Sequence, residues 1–229
     1  FECTIEEDPF LIYQKLKKIN PSPYAAYIDF DDIKLVSCSP EHLIKVEKNH
    51  LQTRPIGGTY PISSKIKDFK KDVKENAEHN MLIDLERNDL GRVAKFGTVK
   101  VNEKKSIEKY SHLIHLVTNI EAKLNQSKDV FDVFKSMFPG GTITGCPKKR
   151  TMEIISEIEP CARGLYSGSI GFINFSNEMD LNLIIRTLII NGNKGYVQVG
   201  GGIVADSIPE KEYNETIDKG MALFEAINS

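Results

Sequence analysis

Short strand-like runs joined by tight turns constrain the fold of this chain more than any other feature. Residues 24–30 and 33–37 flank Asp31-Asp32, and Asn191-Gly192 separates two other apolar runs. A two-residue connection joins antiparallel strands, whereas parallel strands need a crossover of about a dozen residues or more. The sequence therefore predicts hairpins. Further strand-like runs cover residues 43–46, 51–53, 167–175, 181–190 and 196–199.

Helical segments stand apart from these runs instead of alternating with them. The first is predicted to begin at Pro9 and to end before Pro21, because proline suits the first turn of a helix and breaks its interior. The last begins near Ser207, with Glu210 placed for a capping box. Others are predicted over residues 66–93, 129–138 and 147–159. The core stripe of the last helix is predicted to be Tyr213, Ile217, Gly220, Phe224 and Ile227. This segregation favours an α+β fold with large, mostly antiparallel sheets flanked by helices.

Composition excludes several classes of function. The 229 residues are 40% hydrophobic and carry a net charge of −2, which gives no electrostatic case for nucleic acid or an anionic membrane as partner. We find no apolar run long enough to span a bilayer. The four cysteines lack a Cys-x-x-Cys spacing, which favours reduced thiols and a cytoplasmic location.

Two Glu-x-x-Glu pairs are candidates for metal binding. Glu75 and Glu78 form one pair, and Glu212 and Glu215 form the other. Spacing of i,i+3 puts both side chains of a pair on one helix face, where carboxylates repel unless a cation, a proton or water intervenes. Magnesium is the natural cation, because it takes carboxylate oxygens and bridges to anionic substrates. The alternative is two ordinary solvated helix faces.

Two glycine-rich segments each precede a predicted helix. Residues 139–148 read Pro-Gly-Gly-Thr-Ile-Thr-Gly-Cys-Pro-Lys, and residues 200–202 are three consecutive glycines. Backbone N–H groups before a helix can hold an anion, although the Gly-Lys-[Ser/Thr] ending of a P-loop is absent. The alternatives are a capping loop for the first segment and a flexible turn for the second.

Single polar residues in apolar surroundings are weaker candidates. Arg186 lies in the apolar run 183–187, where its guanidinium would need either a substrate carboxylate or an internal ion pair. His79 is predicted to be structural, and a satisfied position in the core is also the better explanation of His112 and His115 by themselves.

Taken together, these segments resemble the chorismate-utilising enzymes. The likeness follows the family's order from about Asp8 to the C-terminus and rests on many short motifs. They include Ser39-Pro-Glu41, Arg54-Pro-Ile-Gly-Gly-Thr59, Lys74-Glu-Asn-Ala-Glu-His79, residues 81–92, Tyr110-Ser-His-Leu-Ile-His115, residues 138–148, Met152-Glu-Ile-Ile155, Met179-Asp-Leu-Asn182, Ile185-Arg-Thr187 and residues 200–207. The resemblance implies one chorismate-binding catalytic domain over residues 1–229, with the N-terminal part of a longer protein apparently missing.

The resemblance also implies roles for particular residues. Glu78 and Glu215 would hold Mg²⁺, with Glu75 and Glu212 in support. Glu41 matches the general acid that protonates the departing C4 hydroxyl. The substrate's carboxylates would be bound by Arg186, Tyr166, Lys219 and the backbone of Gly201 and Gly202. His115 matches an active-site histidine, and Thr59 and Thr142 would line the same pocket.

The reaction implied by the resemblance is amination of chorismate by ammonia from a glutamine amidotransferase partner. Residues 138–148 and 179–182 are similar to those of members that make 4-amino-4-deoxychorismate for folate synthesis, which we take as the first prediction. Many of those members carry a nucleophilic lysine where this chain has Gly57. That difference favours the alternative, an anthranilate-forming enzyme of tryptophan synthesis.

Overall fold

The computed structural model describes residues 1–61, 73–109 and 113–229. It contains twelve strands and six helices within those residues. The strands are β1 (Glu2–Thr4), β2 (Tyr24–Phe30), β3 (Ile33–Ser39), β4 (His42–Glu47), β5 (His50–Thr53), β6 (Ile56–Pro61), β7 (Lys100–Lys109), β8 (Leu113–Lys123), β9 (Gly171–Ile173), β10 (Met179–Asn182), β11 (Thr187–Asn191) and β12 (Lys194–Val197). The helices are α1 (Pro9–Ile19), α2 (Val73–Gly91), α3 (Val130–Met137), α4 (Gly141–Thr144), α5 (Lys148–Ile158) and α6 (Pro209–Asn228).

The chain divides into two compact units, each assembled from separate stretches of sequence. The first contains residues 1–40, 163–168 and 184–229, and the second contains residues 41–162 and 169–183. Each unit is built around its own antiparallel sheet. The predicted α+β class with large antiparallel sheets is confirmed.

The first unit is a five-stranded sheet in the order β1-β12-β11-β3-β2. The Asp31-Asp32 turn pairs Phe30 with Ile33, as the hairpin prediction required. Helices α1 and α6 pack on each other, and α1 also packs on β3. Their apolar faces form one core with the sheet, which contains Ile12, Leu16, Val36, Leu188 and Leu223.

Helix α1 begins where the sequence predicts. The Asp8 carboxylate accepts a hydrogen bond of 2.8 Å from the Phe10 N–H, and Pro9 occupies the first turn. The side-chain cap satisfies one of the N–H groups that have no partner within the helix. Helix α6 differs, because its N-cap is Ile208 and no side chain caps it. The predicted capping box at Glu210 is therefore wrong.

The second unit is a larger sheet in the order β6-β8-β5-β4-β10-β9, with β7 also paired to β8. Helix α2 packs on β6, β8, α3 and α4, and α3 packs on β4. Helix α3 begins with a capping box, in which the carboxylates of Asp129 and Asp132 accept reciprocal backbone hydrogen bonds. The part of the predicted helix before Val73 lies outside the described residues.

The run predicted as one strand over residues 181–190 is two strands in two units. Strand β10 pairs with β4 and β9, while β11 pairs with β3 and β12. Residues 183–186 connect them and lie in no strand. An apolar run fits a buried connection as well as a buried strand, so hydrophobicity alone does not locate the break.

No helix among the described residues has the length and hydropathy needed to cross a membrane. All four cysteines are free thiols, as their spacing predicted.

Candidate active site

In the first unit, the glycine segment lies against the side chains of α6. The Lys219 ammonium donates a hydrogen bond of 3.1 Å to the carbonyl oxygen of Gly200. A Cβ atom built on Gly201 would lie 3.7 Å from Lys219 Nζ and 3.9 Å from Glu212 Oε2. One built on Gly200 would lie 2.9 Å from the Tyr166 hydroxyl oxygen, which is too close for a real side chain. Glycine at position 200 therefore lets Tyr166 approach the backbone.

A pocket of about 350 Å³ opens beside this segment. Its lining includes Gly201, Ser207, Glu212, Tyr213 and Thr216, all from the first unit. The Glu212 side chain is 7% exposed, whereas Tyr213, predicted to lie in the core, is 64% exposed. Of the other predicted stripe residues, Gly220 is buried, and Phe224 and Ile227 pack against the core beside the buried Leu223 and Ala226. Gly202, the other predicted backbone contact, is exposed.

Glu215 and Lys219 form an ion pair one helical turn apart. Lys219 Nζ lies 2.8 Å from Glu215 Oε1, and both groups retain contact with solvent. The two side chains therefore lie on one face of α6. The lysine also offsets part of the negative charge that Glu212 and Glu215 concentrate on α6.

Arg186 and Ser167 hold left-handed backbone conformations, with φ of +49° and +69°. Such values cost a residue other than glycine roughly 1–3 kcal/mol and persist only where neighbours enforce them. Here the Cys38 N–H donates to the Arg186 carbonyl at 3.1 Å, and the Ser167 N–H donates to the Ile184 carbonyl at 2.9 Å. The prediction that Arg186 lies in a strand is wrong, because β11 begins at Thr187. These two hydrogen bonds instead fix the backbone of residues 183–186, the connection that carries the Arg186 guanidinium.

In the second unit, Glu41 directly precedes β4 and is 7% exposed. Its carbonyl oxygen accepts a hydrogen bond of 3.1 Å from the Leu183 N–H. The backbone of Glu41 is therefore anchored just before the strand begins. A carboxyl group at such a buried position suits the general acid that the sequence predicted.

Glu86 is a second buried carboxyl of this unit and was not predicted from the sequence. It is 3% exposed, and its carboxyl lies 3.2 Å from the Thr53 hydroxyl oxygen. Burial raises the pKa of Glu86 to about 8, and the negative charges of Asp89 and Glu41 reinforce the shift. The Thr53 hydroxyl also lies 3.0 Å from the Leu43 carbonyl. If Thr53 donates its single proton there, the protonated Glu86 donates to Thr53.

The signal for Glu86 was present in the sequence. The buried stripe of α2 contains His79, Leu82, Ile83, Glu86 and Asp89, at helical spacing. Three of its members are polar, and buried polar residues on an apolar stripe mark positions with a specific partner. A helix face defined by Glu78, Leu82 and Leu85 does not include the three polar residues of this stripe.

Asp89 forms a nearly fully buried ion pair with Lys148. Lys148 Nζ lies 2.6 Å from Asp89 Oδ2 and also donates to the Met137 carbonyl at 3.2 Å. The Asp89 side chain is 1% exposed and that of Lys148 is 18% exposed. The pair ties the start of α5 to α2. The ion pair is therefore sufficient to explain why a lysine ends the glycine-rich segment, and no bound anion is needed to explain it.

Replacing Lys148 with methionine is expected to lower the free energy of unfolding by about 3 kcal/mol, because it leaves the buried Asp89 carboxylate with only the longer contact of 3.9 Å to Arg92. Chemical denaturation of the full-length protein measures the change. Lys149→Met, at an exposed position of the same helix, should change it by less than about 0.5 kcal/mol. Adding Asp89→Asn to Lys148→Met should recover most of the loss. Equal stability of Lys148→Met and the parent protein would contradict this account.

Close packing explains Gly140 and Gly141, whereas Gly145 has a left-handed backbone with φ of +101°. A Cβ atom on Gly141 would overlap the Leu85 side chain, and one on Gly140 would lie 2.8 Å from Leu183 Cδ2. The segment therefore packs closely on Leu85 of α2 and on Leu183, which follows β10. Thr142 is half-buried, and its hydroxyl oxygen is enclosed without a hydrogen-bond partner among the described residues. A ligand bound at this segment would be able to form a hydrogen bond with the Thr142 hydroxyl.

Strands β6 and β8 bring together the remaining predicted positions of this unit. Thr59 is paired with His115 in the ladder, and Gly57 with Leu116, with an irregularity between them. His115 is 2% exposed. The side chain of Thr59 lies outside the described side chains, and His112 lies outside the described residues.

His79 lies against Gly57 and is fully buried. Its Nε2 atom is 2.6 Å from the Thr118 hydroxyl oxygen, while its Nδ1 atom has no hydrogen-bond partner among the described residues. Burial lowers the pKa of His79 to about 4, with Lys105 and Lys104 adding to the shift. The imidazole is therefore neutral near pH 7. This burial agrees with the prediction that His79 has a structural role.

The carboxylates predicted to bind magnesium are oxygen donors of the type that this ion prefers. Glu78 is half-buried on α2, and the side chain of Glu75 lies outside the described side chains. Glu212 and Glu215 lie on α6, where Glu215 is paired with Lys219. Among the described residues, no three His, Cys, Asp or Glu side chains are grouped as metal ligands would be. The donor chemistry fits Mg²⁺, and the site stays a prediction.

These positions, together with the fold, place the chain in a known class. Residues 1–225 match the chorismate binding enzyme family, and the chain belongs to that family. The resemblance drawn from the motifs is confirmed.

Individual relatives come from two kinds of synthase. The chain is 46% identical to aminodeoxychorismate synthase component 1 of Bacillus subtilis, covering 96% of this chain and 48% of that protein. It is 45% identical to anthranilate synthase component 1 of Aquifex aeolicus, covering 99% and 47%. The crystal structure of anthranilate synthase component I from Streptococcus pneumoniae matches with a TM-score of 0.91 and 38% identity, over 97% of this chain and 51% of that one. The chain spans about half the length of these relatives.

Proposed function

We propose that the full-length protein aminates chorismate with ammonia and forms 4-amino-4-deoxychorismate. The observation that carries this proposal is the match to the chorismate binding enzyme family over residues 1–225. A relative named for the same product, from Bacillus subtilis, is 46% identical to this chain over 229 aligned residues. The component 1 in its name is consistent with a separate partner that supplies ammonia from glutamine.

The chain's own residues divide the proposed work. Arg186 and Tyr166 orient the substrate through its carboxylate, because a guanidinium binds a carboxylate through two parallel hydrogen bonds. Glu41 gives a proton to the C4 hydroxyl as the C–O bond breaks, since hydroxide is a poor leaving group. The enclosed Thr142 hydroxyl supplies a hydrogen-bonding group, and the burial of Glu41 and His115 excludes water around them.

Glu78 and Glu215, supported by Glu75 and Glu212, would hold Mg²⁺. When bound, the ion would neutralise the ring carboxylate and favour nucleophilic attack at C2. Lys219 already neutralises Glu215, at 2.8 Å. The same ammonium would also be able to bind a substrate carboxylate.

Anthranilate formation is the second candidate, and Gly57 favours it. A glycine has no amine with which to attack C2, so ammonia would attack directly. The anthranilate synthase component 1 of Aquifex aeolicus is 45% identical to this chain, close to the value for the first candidate.

Product analysis separates the two candidates. The full-length protein is incubated with chorismate, MgCl₂ and an ammonium salt, and the products are separated by chromatography. A product that aminodeoxychorismate lyase converts to 4-aminobenzoate supports the first candidate. Direct release of anthranilate with pyruvate supports the second and excludes the first. Consumption of chorismate with neither product would contradict both.

A further inference from the structure

The two peptide groups that flank the Cα atom of Arg186 are each held by a buried side chain of the first unit. On one side, the Thr187 hydroxyl donates a hydrogen bond of 2.9 Å to the Ile185 carbonyl. On the other side, the Cys38 thiol donates to the Arg186 carbonyl at 3.4 Å, beside the bond of 3.1 Å from the Cys38 N–H. Rotation about φ and ψ of Arg186 turns these two peptide planes relative to each other. Holding both carbonyls therefore holds Arg186 in its left-handed conformation, with φ of +49°.

The proton that Thr187 donates is assigned by its buried neighbours. Thr187 of β11 stands opposite Ser37 of β3, and their hydroxyl oxygens are 2.8 Å apart. Both residues are less than 5% exposed, at 4% and 0%. A hydroxyl has one proton, and a carbonyl oxygen can only accept, so Thr187 gives its proton to Ile185 and Ser37 donates to Thr187. The Ser37 hydroxyl oxygen in turn accepts from the Ser39 N–H at 3.4 Å. Each hydroxyl of this chain of hydrogen bonds is thus oriented by the next.

The Cys38 thiol remains a proton donor near pH 7. It is fully buried, and burial raises its pKa to about 11, against the opposing effects of a hydrogen bond from Asn20 and the charge of Arg186. The side-chain amide of Asn20, the C-cap residue of α1, donates to Cys38 Sγ at 3.4 Å. The sulfur therefore accepts from Asn20 and donates to the Arg186 carbonyl.

We propose that Thr187 and Cys38 are positioning residues that hold Arg186 in the backbone conformation from which its guanidinium binds the substrate. This inference rests on the proposed function of Arg186. The extended conformation of β11 is the lower-energy alternative for an arginine, because a left-handed backbone is sterically disfavoured for any residue with a Cβ atom. Extending β11 back to Arg186 would point its side chain in a different direction, since successive side chains of a strand alternate between the two faces of the sheet.

The first test is chorismate binding by the full-length Thr187→Val protein. Valine has the shape of threonine and lacks the proton donor. With MgCl₂ present and ammonia absent, the Kd from isothermal titration calorimetry should rise about tenfold, the effect expected when a charge-assisted hydrogen bond is weakened. With an ammonium salt added, KM should rise by a similar factor and kcat should change by less than about threefold. A purely structural role would lower the amount of active protein, which reduces kcat and leaves KM unchanged.

Two further variants show whether the hydroxyl acts through Arg186. Thr187→Ser keeps the donor and should bind chorismate within about twofold of the parent protein. In Arg186→Met no guanidinium remains to be positioned, so adding Thr187→Val should weaken binding by less than about twofold. Loss of binding by Thr187→Ser equal to that of Thr187→Val would overturn the proposal. So would an unchanged Kd in Thr187→Val, or a further tenfold loss in the Arg186→Met protein.

The thiol is tested separately, and its variants decide the question if Thr187→Val does not fold. Cys38→Ala removes the S–H donor and keeps the N–H donor, so the Kd for chorismate should rise by only about threefold. Cys38→Ser should restore the parent value. Cys3→Ala is the matched control, because the Cys3 thiol donates to the Gly195 carbonyl at 3.7 Å in the same sheet. Its Kd should be unchanged. Equal losses in Cys38→Ala and Cys3→Ala would overturn the proposal.

Hydrogen exchange distinguishes failure of this proposal from failure of the proposed function. The Cys38 amide is bonded to the Arg186 carbonyl, so its exchange rate reports on the connection without any substrate. In Thr187→Val that rate should rise about tenfold relative to other amides of β3, and in Thr187→Ser it should equal the parent rate. If the parent protein does not bind chorismate, the proposed function fails, and the exchange rate still decides whether Thr187 holds the connection. An unchanged rate in Thr187→Val would overturn the proposal.

Discussion

Replacing Glu41 with glutamine is expected to lower the rate of chorismate consumption by about 10³-fold and to leave chorismate binding nearly unchanged. Glutamine has the shape of glutamate and carries no proton that it can give to the departing hydroxyl. General acid catalysis by a positioned side chain contributes typically about 10²–10⁴-fold. Turnover is measured with ammonium salt and MgCl₂, and binding is measured by isothermal titration calorimetry. Equal losses in both would indicate that Glu41 orients the substrate instead.

Glu47→Gln is the matched control for this change. Glu47 ends the strand that Glu41 precedes, is exposed, and forms an ion pair of 3.2 Å with Lys45. Exposed pairs of this kind contribute about 0–1 kcal/mol. Both variants replace a glutamate on β4 or next to it with glutamine. A loss of turnover confined to Glu41→Gln is therefore explained only by a role of Glu41 in the reaction. Full turnover by Glu41→Gln would remove it from the proposed mechanism.

The second large effect concerns stability and pH, and Glu86 is its source. The folded protein holds the Glu86 proton up to about pH 8, whereas an unfolded glutamate loses it near pH 4.5. Between these values unfolding releases a proton, so the stability of the folded state falls as pH rises from about 4.5 to 8 and then levels off. The total loss from this group is on the order of 4 kcal/mol. At pH 4 both states are protonated and the contribution vanishes.

Glu86→Gln removes this titration while keeping the shape and an N–H donor near Thr53. The variant should equal the parent protein in stability near pH 4 and exceed it by several kcal/mol at pH 8–9. Unfolding by urea at a series of pH values gives the two curves. Glu153→Gln, at an exposed position of α5, should leave the curve unchanged. Parallel curves for Glu86→Gln and the parent protein would show that Glu86 ionises normally in the folded state.

Local elements were predictable where the signal is local. Pro9 and Asp8 define the start of α1, Asp129 caps α3, and short turns set the hairpins, because each of these depends on residues within one turn of chain. The predicted capping box at Glu210 is wrong because its formation depends on more than the residues within one turn of chain. A pattern of residue types permits a cap, but the path of the preceding chain decides whether the side chain reaches the helix end.

The candidate site was predictable in its residue types and much less in its contacts. The motifs predict Glu41, Arg186 and the acidic pairs, and the match over residues 1–225 confirms the family. They do not show that residues 183–186 leave the sheet, since an apolar run satisfies a strand and a buried connection equally. They also miss Glu86, whose pKa is raised by burial and by the charges of Asp89 and of Glu41, which comes from the segment before β4.

By itself, the sequence determined the class of this protein: hairpins with segregated helices, and motifs whose order matches one family. Local propensity and residue identity are properties of the chain, so they can be read without coordinates. Only the tertiary structure showed that the His79 ring lies against Gly57, that burial raises the pKa of Glu86 and that Tyr213 of α6 is exposed. Those answers depend on distances between residues far apart in sequence, such as the ring of His79 and the backbone of β6.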